Sequence, residues 1–203
     1  MPEKSLRFLD SALKLDPNNA LIYFNIAKSQ KVLGKMDQAI KSLEKSLEID
    51  PGLDDAKNGL SKLYFDQNKY DAAIKYLNEL IIKYPENNSY KYLRGKSYIY
   101  SGKYDEGLTD LNVLLQTDSL NSNYYFLRGE AFSGLRKADA AIADFKKVIV
   151  IDPNDQESTA YRNLAEIYLM LKKDKKKACE YIHMEAKSHK KEISKEDLKR
   201  YCD

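Results

Sequence analysis

Few residues in the sequence are of types and spacings suited to chemistry, and they lie near the C-terminal end. Cys179 and His183 are four residues apart, which puts both side chains on one face of a helix, and Cys202 is a third candidate ligand. Thiolates and imidazoles are the ligands that zinc prefers. Two or three such residues on a terminal helix are more often incidental, so the sequence alone assigns no metal site.

The rest of the chain gives no support for catalysis. The other histidine, His189, is six residues from His183 and falls on a different helix face. No HExxH or CxxC motif occurs, and no glycine-rich loop follows a strand. Carboxylates are plentiful, but their helical spacing is typical of solvated faces. We therefore expect no enzyme activity and no cofactor.

The two cysteines have a second use, because the sequence allows them to bond to each other. If the last helix folds back antiparallel over its neighbour, the two segments run roughly 15 Å and 12 Å at 1.5 Å per residue, which brings the sulfurs side by side. In an oxidising compartment a Cys179–Cys202 disulfide would contribute about 2–4 kcal/mol by closing the loop. The alternative is a pair of buried, reduced cysteines in a cytosolic protein, and both remain open.

Composition favours helix and says little about partners. The 203 residues include only five prolines and eight glycines, and Lys, Leu, Ala and Glu are abundant. Lys and Arg exceed Asp and Glu by three, too small an excess to indicate a nucleic-acid partner. No apolar run is long enough to span a membrane. We expect a soluble chain without direct membrane insertion, located in the cytoplasm, or in the periplasm if a signal sequence precedes it.

A strict period of 34 residues organises most of the chain. Residue pairs ending in proline recur in one register, with Asp118-Ser119 in the one empty position: Asp16-Pro17, Asp50-Pro51, Tyr84-Pro85 and Asp152-Pro153. Acidic residues recur just before the second amphipathic run of each unit: Asp37, Asp71, Asp105 and Asp139. An acid at that point accepts hydrogen bonds from free backbone amides and opposes the helix dipole.

Small residues recur with the same period and mark where two helices cross closely. On the first helix of each unit they are Ala27, Ser61, Gly95 and Gly129. On the second helix they are Ala39, Ala73, Gly107 and Ala141. Large apolar residues flank them at helical spacing, as a buried core requires. The sequence thus predicts a series of tightly packed helix pairs.

These residues resemble the tetratricopeptide repeat family, whose units are 34-residue helix-turn-helix hairpins. The clearest copy of the family pattern is Tyr125, Gly129, Phe132, Ala141, Phe145 and Pro153. The resemblance implies an all-α fold, a right-handed α-solenoid of stacked antiparallel helix pairs with about twelve helices. It covers about five units plus an N-terminal half unit.

The resemblance divides the chain into four parts. Residues 1–19 supply only the second helix of a repeat. Either this helix caps the array on its own or the natural protein extends further upstream, and we expect the second. Residues 20–153 hold four regular repeats, and residues 154–190 fit an irregular fifth repeat after two extra residues. Residues 191–203 form a polar capping helix, because Ser194-Lys195-Glu196-Asp197 resembles a capping box.

In this family the first helices line a concave groove, and the resemblance implies which side chains face it. The predicted groove residues are Phe24, Asn25, Lys28, Lys62, Tyr92, Lys96, Tyr100, Phe126, Glu130 and Glu166. Basic residues give way to acidic ones along this series. Such a groove suits an extended or helical peptide that carries both charges, with aromatic anchors supplying affinity. Ordinary solvated helix faces are the competing interpretation.

The sequence therefore predicts a non-catalytic scaffold that binds a protein or peptide segment in the groove, with no nucleic-acid partner. A structural spacer, or a self-associating fragment of a longer solenoid, is the alternative. That alternative depends on the N-terminal helix, whose apolar residues Leu6, Leu9 and Leu13 have no partner helix in the repeat pattern. It predicts a homo-oligomer formed through this helix.

Overall fold

The computed structural model describes residues 2–153 and 159–203. These residues form twelve helices and no strand, which confirms the prediction of an all-α repeat fold. The helices are α1 (Pro2–Leu15), α2 (Ala20–Val32), α3 (Met36–Ile49), α4 (Asp54–Asp66), α5 (Tyr70–Lys83), α6 (Asn88–Tyr100), α7 (Tyr104–Thr117), α8 (Ser122–Gly134), α9 (Ala138–Ile151), α10 (Ala160–Met170), α11 (Lys175–Ser188) and α12 (Lys195–Tyr201).

The chain divides into two compact units. The N-terminal unit ends at Ser97 and the C-terminal unit begins at Tyr98, so the boundary falls within α6. Each unit is built from helix pairs that have their own buried core.

In the N-terminal unit, α2 packs on α3 and α4 packs on α5, while α1 packs against α2. The small residues predicted at the crossing points are buried there: Ala27 is 2% exposed, and Ala39 is fully buried. Leu43 and Leu60 fill the space around them. A small side chain on each helix therefore allows the close approach that the sequence predicted.

In the C-terminal unit, α8 pairs with α9 and α10 pairs with α11, and α12 packs against α11. Phe145 is fully buried at the centre of this core. A Cβ atom on Gly129 would lie 3.0 Å from two ring carbons of Phe145. Glycine at this crossing point therefore makes room for the phenylalanine ring of the paired helix.

The acidic residues predicted to cap the second helices are instead the second residue within each of those helices. The N-cap of α3 is Lys35, without a side-chain cap bond, and Asp37 is in the first turn. The same arrangement recurs at α5, α7 and α9. The prediction that these acids lie just before the helices is therefore wrong: they lie in the first turn, where a carboxylate opposes the helix dipole. Asp37 also accepts a hydrogen bond from the side chain of Gln67 at 2.7 Å.

The C-terminal end contains the helices α10, α11 and α12. Ser194 is the N-cap of α12 and accepts from the backbone N–H of Asp197 at 3.0 Å, which is the N-cap bond of the predicted capping box. Helix α11 begins inside the lysine-rich turn, because the Asp174 side chain accepts from the backbone N–H of Lys177 and caps the helix. Residues 154–158, where the fifth repeat was predicted to begin, lie outside the described residues.

Helix α1 is more covered than the sequence predicted. Leu6, Leu9 and Leu13 are half-buried, because α1 packs on α2. The apolar side chains that α1 exposes are instead Phe8, at 76%, and Leu15, at 89%. Helix α1 therefore does expose apolar side chains, but they are not the three leucines that the sequence predicted.

Candidate functional site

A cavity of about 400 Å³ lies on the first-helix side of the C-terminal unit. We call it the α8 cleft, and its lining residues are Ile99, Tyr100, Tyr104, Glu130, Ser133, Gly134, Phe145 and Asn163. They come from the end of α6, the start of α7, α8, α9 and α10. The cleft brings together two of the predicted groove residues, Tyr100 and Glu130.

The floor of the α8 cleft is part of the core. Phe145 is fully buried beneath it, and the ring of Phe126 meets the ring of Phe145 edge to face at 5.6 Å. Phe126, predicted to face the groove, is half-buried and packs on this core. Its ring therefore supports the cleft floor.

One wall of the α8 cleft depends on the absence of a side chain at Gly134. A Cβ atom at this position would lie 2.3 Å from Cζ of Tyr104. The ring of Tyr104 therefore lies directly against the backbone of α8. Tyr104, the first residue of α7, and Gly134, the last residue of α8, are site residues that sequence reasoning missed.

The polar groups of the α8 cleft differ in exposure. Tyr100 is 43% exposed at the edge, and Glu130 is half-buried in the wall. Ser133 and Asn163 add a hydroxyl and an amide. Aromatic rings beside a carboxylate, a hydroxyl and an amide can hold an apolar side chain and hydrogen-bond a peptide main chain. No histidine or cysteine is among the described residues that line this cleft.

Glu166, the last predicted groove residue, is held by the cap. The phenol of Tyr201 donates to its carboxylate, and Arg200 forms an ion pair with the same oxygen at 2.7 Å. Burial, followed by this hydrogen bond, raises the pKa of Tyr201 to about 12. The Tyr201 side chain is 1% exposed. Helix α12 thus covers the end of the first-helix side at α10.

A second set of contacts fastens α12, and sequence reasoning missed it. The guanidinium of Arg162 donates to Asp197 at 2.8 and 3.2 Å and to Glu185 at 2.9 Å. Glu185 also accepts from Lys191 at 2.8 Å. The hydrogen bonds from Arg162 hold the pKa of the Asp197 carboxyl below its usual range. The planar fork of arginine joins α10, α11 and α12 in one network.

In the N-terminal unit, lysines lie over aromatic rings on the first helices. Lys28 is 5.4 Å from the ring centre of Phe24, on α2. Lys96 is 5.2 Å from the ring centre of Phe65, where it bridges α6 to α4. Each pair places a lysine ammonium group over the face of an aromatic ring, in a cation–π contact.

The remaining predicted residues of this unit differ in their surroundings. Asn25 is exposed, and its amide donates to the carbonyl of Leu21 at 2.9 Å. Lys62 is exposed on α4, and Tyr92 is half-buried on α6. All six predicted residues of the N-terminal unit therefore lie on first helices.

A buried ion pair in the C-terminal unit was also missed. Nε and a terminal nitrogen of Arg128 each lie 2.8 Å from an oxygen of Asp144, which is 5% exposed. This hydrogen bonding raises the pKa of Arg128. Arg128 also donates to Asn112 at 3.0 Å, and in the N-terminal unit Arg94 donates to Asn78 at 2.9 Å. Both asparagines precede their arginine by 16 residues, a repeated spacing visible in the sequence.

The cysteines of the C-terminal unit form a disulfide, with the Sγ atoms of Cys179 and Cys202 2.04 Å apart. Cys179 lies near the start of α11, and Cys202 follows the last residue of α12. The bond therefore ties the cap to the last helix pair. Nδ1 of His183 is 3.5 Å from the Cys179 sulfur.

Among the described residues, the longest apolar helical stretches fall short of what crossing a membrane requires. Two models of the tetratricopeptide repeat match the sequence, over residues 33–97 and 92–156, and together they span more than half of the chain. No curated protein is similar enough in sequence to count as a match.

Several solved structures are similar in fold. The MamA protein is 21% identical, with 84% of this chain and 92% of that chain covered and a TM-score of 0.73. YrrB, described as a TPR protein with an unusual peptide-binding site, is 20% identical, with coverages of 90% and 92% and a TM-score of 0.69. A tetratricopeptide repeat protein from Parabacteroides merdae is 20% identical, with coverages of 95% and 74% and a TM-score of 0.75.

Proposed function

Because the chain belongs to the tetratricopeptide repeat family, we propose that it is a non-catalytic scaffold that binds a peptide or protein segment on its first-helix faces. The observation that carries the proposal is the α8 cleft. Its floor is preformed core, and its rim has an exposed aromatic ring beside polar groups. A preformed site binds without first being ordered, which lowers the entropic cost of binding.

The chemistry of the α8 cleft defines the segment that fits it. The rings of Tyr100 and Tyr104 offer apolar surface to one side chain of the ligand. Glu130 attracts a lysine, an arginine or an amide donor, while Ser133 and Asn163 hydrogen-bond the main chain. A peptide with an apolar residue next to a basic one satisfies all of these groups.

The first helices of the N-terminal unit favour a ligand segment with negative charge. Lys28, Lys62 and Lys96 lie on its first helices, two of them beside aromatic rings. An acidic side chain would pair with these lysines, and exposed pairs contribute little affinity but set orientation. An acidic ligand segment therefore matches the first helices of the N-terminal unit, whereas a basic one matches the α8 cleft of the C-terminal unit. YrrB, a structural neighbour with a peptide-binding site, supports a peptide as the class of ligand.

The experiment that tests the proposal is selection from a displayed library of random 16-residue peptides. Selected peptides are synthesised with a fluorophore, and their Kd is measured by anisotropy. We expect enriched peptides to pair an apolar residue with a basic one. Tyr100→Ala and Glu130→Gln should each weaken binding by about tenfold or more, because central aromatic and charged contacts dominate peptide affinity.

The matched control is Lys146→Ala on α9, whose side chain is exposed on a second helix. It should leave the Kd unchanged. The melting temperatures of all variants, followed by circular dichroism, should lie close to that of the wild type. If Tyr100→Ala and Glu130→Gln bind as tightly as Lys146→Ala, the α8 cleft is not the site.

Self-association is a second candidate, and one observation favours it. Phe8 and Leu15 on α1 are among the most exposed large apolar side chains of the described residues. Exposed apolar side chains on one helix suit contact with a second copy of the chain. Light scattering should then give a dimer mass for the wild type and a monomer mass for the Phe8→Ser, Leu15→Ser variant. A monomer in both cases removes this candidate.

A further inference from the structure

We propose that the reduced chain binds a zinc ion through Cys179, His183 and Cys202. One potential ligand atom from each residue lies within 4.8 Å of the other two. The residues come from α11 and from the end of α12, so the fold brings them together. Two thiolates and an imidazole suit Zn²⁺ and disfavour Mg²⁺ and Ca²⁺, which prefer oxygen ligands.

The ligands stay together when the disulfide is absent. Helix α12 is also held by the buried Tyr201 ring and by the hydrogen bonds from Arg162 to Asp197. None of these contacts involves a sulfur atom. Reduction therefore leaves Cys202 beside α11, where Cys179 and His183 share a helix face.

Zinc and the disulfide exclude each other. Zinc sits about 2.3 Å from each sulfur in a tetrahedral site, which sets the sulfurs roughly 3.8 Å apart. A dithiol reductant supplies two electrons and two protons to the disulfide, giving two thiols while the reductant becomes a disulfide. When Zn²⁺ binds, the two thiols release two protons, and the resulting thiolates neutralise the charge of the ion.

The surroundings leave one coordination position open. A groove of about 750 Å³ runs past the three residues, and Lys175, Lys176 and Lys187 contribute to its lining. Water has room to be the fourth ligand, as in other sites with three protein ligands. The ion would fasten α12 to α11 in a reducing compartment, as the disulfide does in an oxidising one.

Cobalt titration tests the proposal on the full chain, reduced with a phosphine and kept free of oxygen. Co²⁺ bound by two thiolates gives a sulfur-to-cobalt charge-transfer band. We expect one Co²⁺ per reduced chain with this band, displacement by Zn²⁺, and no band for the oxidised chain. Zn²⁺ should also raise the melting temperature of the reduced chain, and a chelator should reverse the rise.

Variants test whether the three named residues are the metal ligands. Cys202→Ser leaves one thiolate and should weaken the band, and His183→Ala should weaken Co²⁺ binding by about tenfold or more. His189→Gln, at the other histidine, should bind as the wild type does. The proposal is overturned if the reduced chain shows no charge-transfer band, or if His183→Ala binds Co²⁺ as tightly as His189→Gln. Circular dichroism of each variant verifies that it is folded.

Discussion

The hydroxyl of Tyr201 donates a hydrogen bond to the carboxylate of Glu166, so the last helix of the chain lies against a first helix of the repeats. Glu166 occupies the position at which Glu130 lines the α8 cleft one repeat earlier. The cap thus holds Glu166, while Glu130 lines the α8 cleft. Glu166 therefore has a structural role, because it contacts α12.

Tyr201→Phe should lower the free energy of unfolding of the oxidised chain by about 1.5 kcal/mol, because a hydrogen bond to a charged group is lost while the ring stays buried. Tyr201→Ala should cost about 3–5 kcal/mol, since it also empties the core under α12. Urea denaturation measures both. Tyr161→Phe, which removes a hydroxyl from α10 outside the cap contacts, is the control and should cost much less.

Reducing the Cys179–Cys202 disulfide should destabilise the metal-free chain by about 2–4 kcal/mol, because the bond restrains the unfolded chain across a separation of 23 residues. Urea denaturation with and without a phosphine reductant, in the presence of a chelator, measures the difference. The Cys179→Ser, Cys202→Ser variant should be insensitive to reductant. Equal stability of the oxidised and reduced wild type would contradict the expected effect.

The contribution of Asp197 should depend on pH. Its pKa is lower in the folded chain than in the unfolded chain, because Arg162 hydrogen-bonds the carboxylate. The stabilisation is therefore complete above about pH 4, the usual range of aspartate, and is lost as pH falls through the lowered folded pKa. Asp197→Asn should have a lower free energy of unfolding than the wild type at pH 7, and this difference should become smaller towards pH 2. The exposed Asp66→Asn control should show no comparable gap at pH 7.

Gly129→Ala should cost about 1–3 kcal/mol, because the added methyl group meets the Phe145 ring at 3.0 Å in a filled core. Gly129→Leu should cost more, while Lys146→Leu at an exposed site on α9 should cost little. Denaturant unfolding of Gly129→Ala alone and combined with Phe145→Leu measures the coupling. The double variant should lose less than the two single losses added together, since the smaller side chain relieves the contact. Additive losses would show that the two residues are not in contact.

Much of the fold follows from the sequence because each repeat is defined by local features. The 34-residue period, the small residues at helix crossings and the Ser194 cap all depend on neighbours within one hairpin or one turn. The site is only partly predictable. The repeat register places Tyr100 and Glu130 on first helices, and both side chains line the α8 cleft. The register does not reveal that α12 returns to cover Glu166, because that contact depends on how the chain turns after Ser188.

The pair of Arg128 and Asp144 shows the same limit and gives the last prediction. Asp144→Ala should cost about 3 kcal/mol, because it leaves the guanidinium of a half-buried arginine without its bidentate partner. Replacing both residues, as Arg128→Met with Asp144→Leu, should recover most of the lost free energy of unfolding, since no charge is then left unpaired. Urea denaturation compares the single variant, the double variant and the Lys146→Ala control. A double variant less stable than Asp144→Ala would show that the ion pair itself, rather than the avoidance of a stranded charge, stabilises the pairing of α8 with α9.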